Sequence, residues 1–283
     1  MENNLELTID ALASSGVVLS TEQKTALQIS LPLKKVEAGL STISLWGKIA
    51  ALNGKDYLVA EGKGKAYFYE KKVETEIKFY YSQDCVKWLD LEPVDETSSK
   101  RCLTISSALS GDPSAVVTVT EPAPKEPESP GALEAEPEAE AAEEEEEEEK
   151  VVEFEFTELQ RLQAMVASIK ATTAVKPKGA YITTGDNAVI LNKAFAGLEY
   201  PEKLESYALV DNTVEGKSLD ENDFLSDDLA GSWALHYDAF SSTAIIRSLM
   251  YPGYVFYYCG ETTSWGSLYF GSGIKNTEFI FMT

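Results

Sequence analysis

The sequence predicts an α+β protein built mainly of antiparallel β-sheet, with a few short amphipathic helices, and three observations carry that prediction. From Gly231 to Thr283, short runs of aromatic and β-branched residues alternate with glycines, as is typical of a meander of short strands. Asn53-Gly54 separates two apolar runs and indicates a β-hairpin. Two stretches begin with serine or threonine followed three residues later by glutamine, the pattern of a helix capping box.

Two short helices are predicted before residue 40. The apolar face of the first contains Leu5, Ile9 and Leu12. Gly16 is suited to end this helix, because glycine readily adopts the left-handed conformation found at helix C-termini. Ser20 and Gln23 form the capping box of the second helix. That helix is expected to end at Pro32, because an internal proline removes a helical hydrogen bond.

Two pairs of strands are predicted next. The alternating apolar positions of the first strand are Ile43, Leu45 and Ile49. The chain is expected to turn in two residues at Asn53-Gly54 and to run back from Tyr57 to Ala60. Tyr67 to Tyr81 alternates more loosely, which favours a half-exposed strand pair. Cys102 to Ile105 suggests one further strand.

The segment from Glu121 to Lys150 consists mainly of glutamate, alanine and proline, with fourteen glutamates against two lysines. It has too little apolar area to offset the entropy cost of ordering, so we expect a disordered, extended linker. The chain is thus expected to have an N-terminal half over residues 1–120, a linker over residues 121–150 and a C-terminal half over residues 151–283. The two halves are expected to pack together as one composite domain.

The C-terminal half is predicted to open with a helix, because Thr157 and Gln160 form the second capping box. The apolar face of this helix contains Leu159, Leu162, Val166 and Ile169. A hairpin is expected next, with Ala180 to Ile182 paired to Val189 to Leu191. Two short helical pieces are then expected before the meander, around residues 201–207 and 218–229.

The net charge of −23 over 283 residues weighs against nucleic-acid and membrane partners, because both surfaces are anionic and attract basic patches. No apolar run approaches the roughly 20 residues of a membrane-spanning helix. The three cysteines are an odd number at unrelated spacings, and Met1 to Asp10 is acidic where a signal peptide would be basic and then apolar. We therefore expect a reducing, intracellular setting.

The sequence offers little for catalysis. The only histidine, His236, lies in an alternating run and is typical of a packed or half-exposed strand residue. Cys259 has no neighbour in sequence that would lower its pKa. The cysteines and the histidine are not clustered at metal-ligand spacings, and Gly216-Lys217-Ser218 copies only the end of a phosphate-binding loop. We expect no enzyme activity, no metal and no cofactor.

A protein-binding surface is predicted in the meander. Trp265 to Phe270 carries bulky groups on both faces of a predicted strand, so at least one strand is expected to be covered on both sides. One cover is expected to be the protein's own core and the other either a helix of the same chain or a second protein, because soluble monomers seldom expose large apolar patches. Of these two we expect a partner subunit. The candidate interface residues are Tyr254, Phe256, Tyr258, Trp265, Tyr269 and Phe270.

Ordered motifs are spread over both halves of the chain. In the N-terminal half they are Trp46-Gly47-Lys48-Ile49, the stretch from Asp56 to Gly62, Tyr81-Ser82 with Cys85 and Trp88, and Gly111-Asp112-Pro113-Ser114. In the C-terminal half they are Pro177-Lys178-Gly179-Ala180, Phe195-Ala196-Gly197-Leu198 and the fragments GSW, IIRSLMYPG, WGSLYFGSG and KN. In this order they resemble the radial spoke head protein 9 family of motile cilia. The glutamate-rich run departs from the family's animal members.

The resemblance implies a non-catalytic structural subunit of the radial spoke head in the axoneme of a cilium or flagellum. Its partners would be the larger paralogous head subunits and, through the assembled head, the central-pair projections. The head would help transmit signals between the central pair and the dynein arms. The alternative is a free-standing β-rich protein-binding module outside the axoneme, with an enzyme as a third interpretation. Retention on demembranated axonemes would distinguish the first interpretation from the other two.

Overall fold

The computed structural model describes residues 9, 12–16, 18–69, 72–122, 151–183, 189–209, 224–278 and 281. It confirms the predicted α+β class with mainly β content. The α-helices are α1 (Thr21–Glu37), α2 (Glu96–Thr104) and α3 (Glu158–Thr173). Short 3₁₀ turns occupy Ala13–Ser15 and Leu204–Ser206.

Fourteen strands are present in the described residues. Those of the N-terminal half are β1 (Thr42–Ile49), β2 (Tyr57–Tyr69), β3 (Lys72–Ser82), β4 (Leu89–Leu91) and β5 (Val116–Pro122). Those that open the C-terminal half are β6 (Val151–Thr157), β7 (Val175–Pro177), β8 (Tyr181–Thr183), β9 (Val189–Leu191) and β10 (Tyr207–Leu209). The predicted meander is confirmed as β11 (Trp233–Asp238), β12 (Thr243–Ser248), β13 (Tyr254–Cys259) and β14 (Ser264–Gly271).

Eight strands form one sheet in the order β11-β12-β13-β14-β1-β2-β3-β4. Every neighbouring pair is antiparallel except β1 with β14, which is parallel. This parallel pair joins strands from the two ends of the chain, so the meander and the N-terminal strands are continuous. Two-stranded sheets are formed by β5 with β6, β7 with β10 and β8 with β9.

Both faces of the large sheet are covered. The core on one face combines α3 with the sheet through Leu162, Met165, Val166, Ile169, Ile49, Tyr57, Tyr254, Phe256, Tyr258 and Tyr269. The core on the other face combines α1 and the N-terminal residues with the sheet through Ile9, Leu12, Leu27, Leu31, Leu45, Leu58, Tyr257 and Leu268. A strand covered on both sides carries apolar residues at successive positions. Strand β13 does so, with Tyr254 to Tyr258 all buried.

Both capping boxes are confirmed, but the predicted end of α1 is wrong. The helix continues through Pro32 to Glu37. Its second half is held by contacts outside the helix, because Leu31 is buried and the Lys34 ammonium lies 3.5 Å from the Asp90 carboxylate and over the Tyr80 ring. These contacts offset the hydrogen bond that proline removes.

The hairpin of β1 and β2 is confirmed, but its predicted two-residue turn is wrong. The last pair of the ladder is Ile49 with Tyr57, so the connection contains seven residues. Its backbone bonds to another segment, since the Leu52 N–H donates to the Leu109 carbonyl at 2.9 Å. Within this longer connection, Gly54 still adopts the left-handed conformation that Asn-Gly signals.

Residues 102–105, predicted as a strand, belong mostly to helix α2. That helix has one buried side chain, Cys102, which packs against Phe156 and Ala164. With a single buried position, α2 has no apolar repeat from which a helix could be recognised.

The second helical piece was predicted around residues 218–229, of which the structure describes residues 224–229. The prediction is wrong for these, because they form turns and an isolated bridge. The first piece corresponds to the 3₁₀ turn that precedes β10. Strand β5 extends into the segment predicted as linker, and residues 123–150 lie outside the described residues. Leu5, the turn at residues 185–187 and Gly216-Lys217-Ser218 also lie outside them.

Candidate protein-interaction site

The six predicted interface residues do not share one surface. Tyr254, Phe256, Tyr258, Trp265 and Tyr269 pack into the core on the α3 face, whereas Phe270 packs against the core on the α1 face. Four of the six are buried within this chain, namely Tyr254, Phe256, Tyr258 and Tyr269. Trp265 and Phe270 remain half-exposed, so these two keep surface for a partner.

Much of the cover expected from a partner comes from the chain itself. The ring of Tyr207 packs edge-on against Phe256 and Tyr258, with centroids 5.9 and 6.4 Å away. The hydroxyl of Tyr258 accepts a 2.8 Å hydrogen bond from the Leu198 N–H. Trp265 is flanked by the ring of Phe195, 5.6 Å away. The ring of Tyr181 on β8 also packs against Trp265, 6.3 Å away, so the chain itself covers Trp265 on two sides and leaves it partly exposed.

Trp265 lies beside the parallel pair of β1 and β14, which is short. Its register joins Gly47–Ile49 to Tyr269–Gly271, and the Ala50 N–H extends it by donating to Gly271 at 2.9 Å. No backbone pairing joins Thr42–Trp46 to Ser264–Leu268, two stretches that the structure describes in full. The two strands therefore meet at one end and separate toward the other, and we call the space between them the β1–β14 gap.

The β1–β14 gap opens at a bulge in β1. The register of β1 with β2 shifts between Leu45 and Gly47, which places Trp46 at the irregularity. The Trp46 ring packs on Tyr269 with centroids 5.5 Å apart. Gly47 approaches the Tyr269 backbone so closely that a Cβ atom there would clash with its carbonyl oxygen. The Trp-Gly pair thus both closes the narrow end of the gap and turns β1 away from β14.

A groove of about 840 Å³ occupies the gap. Its walls come from both layers of the fold, because Leu27 and Leu31 of α1 line one side and Val175 and Phe256 line the other. Trp265 also lines it. The groove therefore lies between β1 and β14 and contacts core residues on both faces of the sheet, with polar residues making up much of the rest of its lining.

Among the described residues, the charged side chains that line the groove are Lys35, Lys63 and Glu61. Glu61 is already paired, since one of its carboxylate oxygens lies 3.1 Å from Lys170 and 3.6 Å from Lys63. Glu61 and Lys63 of the groove are thus already engaged in ion pairs within the chain.

A second polar cluster, at the start of α3, has no capacity left for a ligand. Glu158 is 1% exposed, and its carboxylate accepts hydrogen bonds from the Tyr57 hydroxyl, from Ser110 and from the Gly111 N–H. Burial opposes the ionisation of Glu158, but these hydrogen bonds outweigh it and hold the pKa of the carboxyl below its usual value. The buried Arg161 donates to the Ser107 carbonyl at 2.7 Å.

The residues considered for catalysis lie apart. His236 is exposed on β11, opposite Ile245, whereas Cys259 lies at the end of β13 opposite Thr243. Burial opposes ionisation of the Cys259 thiol, but hydrogen bonds led by Thr262 outweigh it and lower its pKa. Among the described residues, no group of histidine, cysteine, aspartate and glutamate is arranged to hold a metal ion. Within the same residues, no helix is both long and apolar enough to cross a membrane.

The residues that sequence reasoning missed are the groove walls on α1 and β7 and the lysines of the rim. Each looks like an ordinary core or surface residue in its own segment. The available signal was the Trp-Gly dipeptide, which occurs in both strands of the gap, as Trp46-Gly47 and Trp265-Gly266. Ser30 was missed as well. Its hydroxyl donates to the Cys85 carbonyl and accepts from the Trp88 indole, and it thereby fixes α1 to the connection between β3 and β4.

Comparison with known proteins identifies relatives over nearly the whole chain. The radial spoke head protein 9 homolog of Xenopus tropicalis is 32% identical over 98% of this chain and 98% of its own length. The homolog of Danio rerio is 31% identical and that of Homo sapiens 29% identical, each over 99% of both chains. No family model matches the sequence. With more than 30% identity to full-length relatives, this chain belongs to the radial spoke head protein 9 family.

Proposed function

We propose that this chain is a non-catalytic structural subunit of the radial spoke head that assembles with larger paralogous head subunits. Through the assembled head it contacts central-pair projections and helps transmit signals between the central pair and the dynein arms. The observation that carries this proposal is the identity to radial spoke head protein 9 homologs over nearly the entire chain. Members of this family are axonemal components of cilia and flagella.

The arrangement of polar groups supports a role without turnover. Glu158 is the most highly hydrogen-bonded carboxylate at the junction of the two halves, and it is buried with its oxygens already occupied. His236 and Cys259 lie on strands separated by β12, so the imidazole cannot serve as base for that thiol. Replacing both by apolar residues of similar volume should leave assembly into the spoke head unchanged.

The partner contact is proposed at the exposed part of Trp265, with Phe270 on the opposite face of the same strand. Large aromatic residues dominate the desolvated centre of stable interfaces. Trp265→Ser should therefore weaken binding to a head subunit by at least ~2 kcal/mol, measured as the change in Kd. The control is Phe240→Ser, an exposed aromatic at the β11–β12 turn, which should leave Kd within about twofold.

The outcome that contradicts this interface is a loss of folding stability without a loss of binding. If Trp265→Ser lowers the midpoint of urea unfolding while the Kd for the partner stays the same, then the ring serves only the internal core. The partner would then bind elsewhere on the chain.

Fractionation of ciliated cells tests the proposed function as a whole. A tagged chain should remain with axonemes after the membrane is removed with detergent, and should leave them only under strong salt. Cells that lack the chain should assemble axonemes whose spokes are missing head density in electron tomograms. Release of the chain with the detergent-soluble fraction, together with intact spoke heads in cells that lack it, would overturn the proposal.

A further inference from the structure

We propose that Asn53-Gly54 is a site of spontaneous covalent modification, at which the Asn53 side chain closes a succinimide ring with the next peptide nitrogen and then opens to isoaspartate. The site lies in the connection between β1 and β2, away from the partner contact proposed at Trp265. The inference therefore does not depend on the proposed function. Its structural consequence is the loss of the backbone hydrogen bonds that join this connection to residues 109–110.

The chemistry needs only water and the two residues themselves. The Gly54 nitrogen loses its proton and attacks the side-chain amide carbon, Cγ, of Asn53, an attack within the chain that avoids the entropy cost of bringing two molecules together. A bond forms between this nitrogen and Cγ, the bond from Cγ to Nδ2 breaks, and Nδ2 leaves as ammonia with the proton. Water then opens the five-membered ring at one of its two carbonyl carbons. One opening gives aspartate, and the other gives isoaspartate, whose main chain runs through the side chain.

The attacking residue is the first support. Asn53 is the only asparagine of the sequence that is followed by glycine, which has no Cβ atom to shield its nitrogen and a wide range of backbone conformations. Both residues are exposed to solvent, and a Cβ atom added at Gly54 would meet nothing within 4 Å. The Gly54 N–H donates to the Ala51 carbonyl at 3.2 Å, the long end of the usual range. Water and hydroxide therefore reach a nitrogen that is weakly held.

The asparagine side chain is the second support. The structure describes three asparagines, which are Asn53, Asn192 and Asn276. The side-chain amides of Asn192 and Asn276 are each held at both ends by backbone groups, through hydrogen bonds of 2.9 to 3.2 Å. The amide of Asn53, by contrast, makes no hydrogen bond to any residue in the described part of the chain. It is therefore free to rotate its Cγ towards the nitrogen of the next residue.

The place of Asn53 in the fold gives the modification its effect. The Asn53 N–H donates to the Ser110 carbonyl at 3.2 Å, and the Leu52 N–H donates to the Leu109 carbonyl at 2.9 Å. These bonds hold the connection against the segment that presents backbone N–H groups to Glu158. Isoaspartate inserts an extra carbon into the main chain directly after these donors, which changes the geometry of the turn. We expect both bonds to residues 109–110 to be lost in the modified chain.

Incubation of the purified full-length chain in mildly alkaline buffer is the direct test. Trypsin releases residues 49–55 as one peptide, and a protein-isoaspartate carboxyl methyltransferase with a labelled methyl donor detects isoaspartate in it. We expect labelling within about tenfold of the rate for the same peptide free in solution, because little local opening is needed at an exposed turn. Labelling slower than this would show that the fold protects Asn53, and would overturn the inference.

Asn53→Gln is the matched control for the ring closure. It keeps the amide and adds a methylene group, so that the same attack has to close a six-membered ring. We expect the labelling of this peptide to fall at least about tenfold in the variant, because the reacting atoms are less favourably placed. In the native chain the labelling should also rise with pH, since the deprotonated nitrogen is the nucleophile. Equal labelling of the two chains, or a rate independent of pH, contradicts the proposed chemistry.

Hydrogen exchange of single backbone amides tests the structural effect. The isoaspartate form gains a carboxylate, so anion exchange separates it from the unmodified chain. In that form the Leu52 amide should exchange at least about tenfold faster than in the unmodified chain, because its bond to Leu109 is lost. Asn53→Asp gains the same charge with an ordinary main chain and should exchange as the unmodified chain does. Unchanged exchange in the isoaspartate form, or equally fast exchange in Asn53→Asp, would overturn the assignment of the effect to the lengthened main chain.

Discussion

The start of α3 and the β1–β14 gap both connect the N-terminal and C-terminal halves of the chain, but they do so with opposite chemistry. At α3, the carboxylate of Glu158 is buried and bonded to Tyr57, Ser110 and Gly111 of the other half. At the gap, the two halves share a short parallel ladder and then separate along a groove lined by both polar and apolar residues.

The contact at the start of α3 stabilises the fold, whereas the β1–β14 gap is the place where a partner can bind. Buried charge is tolerated only when its hydrogen-bonding capacity is filled, so the Glu158 cluster stabilises the fold and leaves nothing for a ligand. At the gap, by contrast, Trp265 remains partly exposed and so keeps surface for a partner. Changes at Glu158 should therefore alter stability first, whereas changes in the gap should alter assembly first.

The largest expected effect is that of Glu158→Ala. Removal of the Glu158 carboxylate leaves the Tyr57 hydroxyl and the N–H groups of Ser110 and Gly111 without their acceptor. It also removes a negative charge that favours the charged form of buried Arg161. We expect a loss of about 3–5 kcal/mol in the free energy of unfolding, the usual result of breaking a buried charged network. Urea unfolding followed by tryptophan fluorescence would measure it.

The control for this variant is Glu155→Ala on β6, whose side chain is exposed. It should change the free energy of unfolding by no more than about 0.5 kcal/mol. Equal small losses for both variants would show that the Glu158 cluster does not hold the two halves together.

Gly47→Ala should have the next largest effect. The added methyl group meets the Tyr269 backbone, which belongs to the paired part of β14 and cannot move freely. We expect a loss of roughly 1–3 kcal/mol, as for other overpacked sites. Gly64→Ala on β2 is the matched control, because its Cβ atom would make only ordinary contacts with Glu76. If Gly47→Ala is as stable as Gly64→Ala, the close approach of β1 to β14 is not needed for folding.

Acid should weaken the Glu158 contact in a defined direction. Because the folded pKa of Glu158 lies below its unfolded value, its stabilising contribution is present above pH ~4.3 and is lost as the pH falls through the folded pKa. Glu158→Gln carries no such ionisation. The difference in unfolding free energy between the native chain and Glu158→Gln should therefore shrink as the pH falls below ~4, in urea titrations at a series of pH values. A constant difference would contradict the assignment.

The smallest effect is expected for the acidic segment. Replacement of residues 123–149 by a tight turn should leave the melting temperature nearly unchanged. The deleted residues are mainly glutamate, alanine and proline, which offer little apolar surface to a core. The flanking strands already pair at this end, with Pro122 opposite Val151. A fall of the melting temperature of more than about 5 °C would show that the segment packs on the fold.

What could be predicted from the sequence was local. Both capping boxes depend on two residues one helical turn apart, and both are present. The meander could also be predicted from local signals, namely short aromatic runs separated by turn residues. The errors at Pro32 and Asn53-Gly54 share a cause, since contacts with Asp90 and Leu109 outweigh the local preference.

The gap itself was beyond prediction from sequence. Strands β1 and β14 lie at opposite ends of the chain, and their parallel pairing has no turn signal to mark it. The aromatic excess of the meander pointed correctly to a strand covered on both sides, but not to its cover. Tyr207 and Phe195, which supply much of that cover, lie in segments without a strong periodic pattern.

A density map of the assembled spoke head that resolves this chain's backbone tests the central claim most directly. The account predicts that a larger head subunit contacts the exposed part of Trp265. A head in which this chain is bound through another face, with Trp265 in contact only with its own chain and solvent, would contradict it.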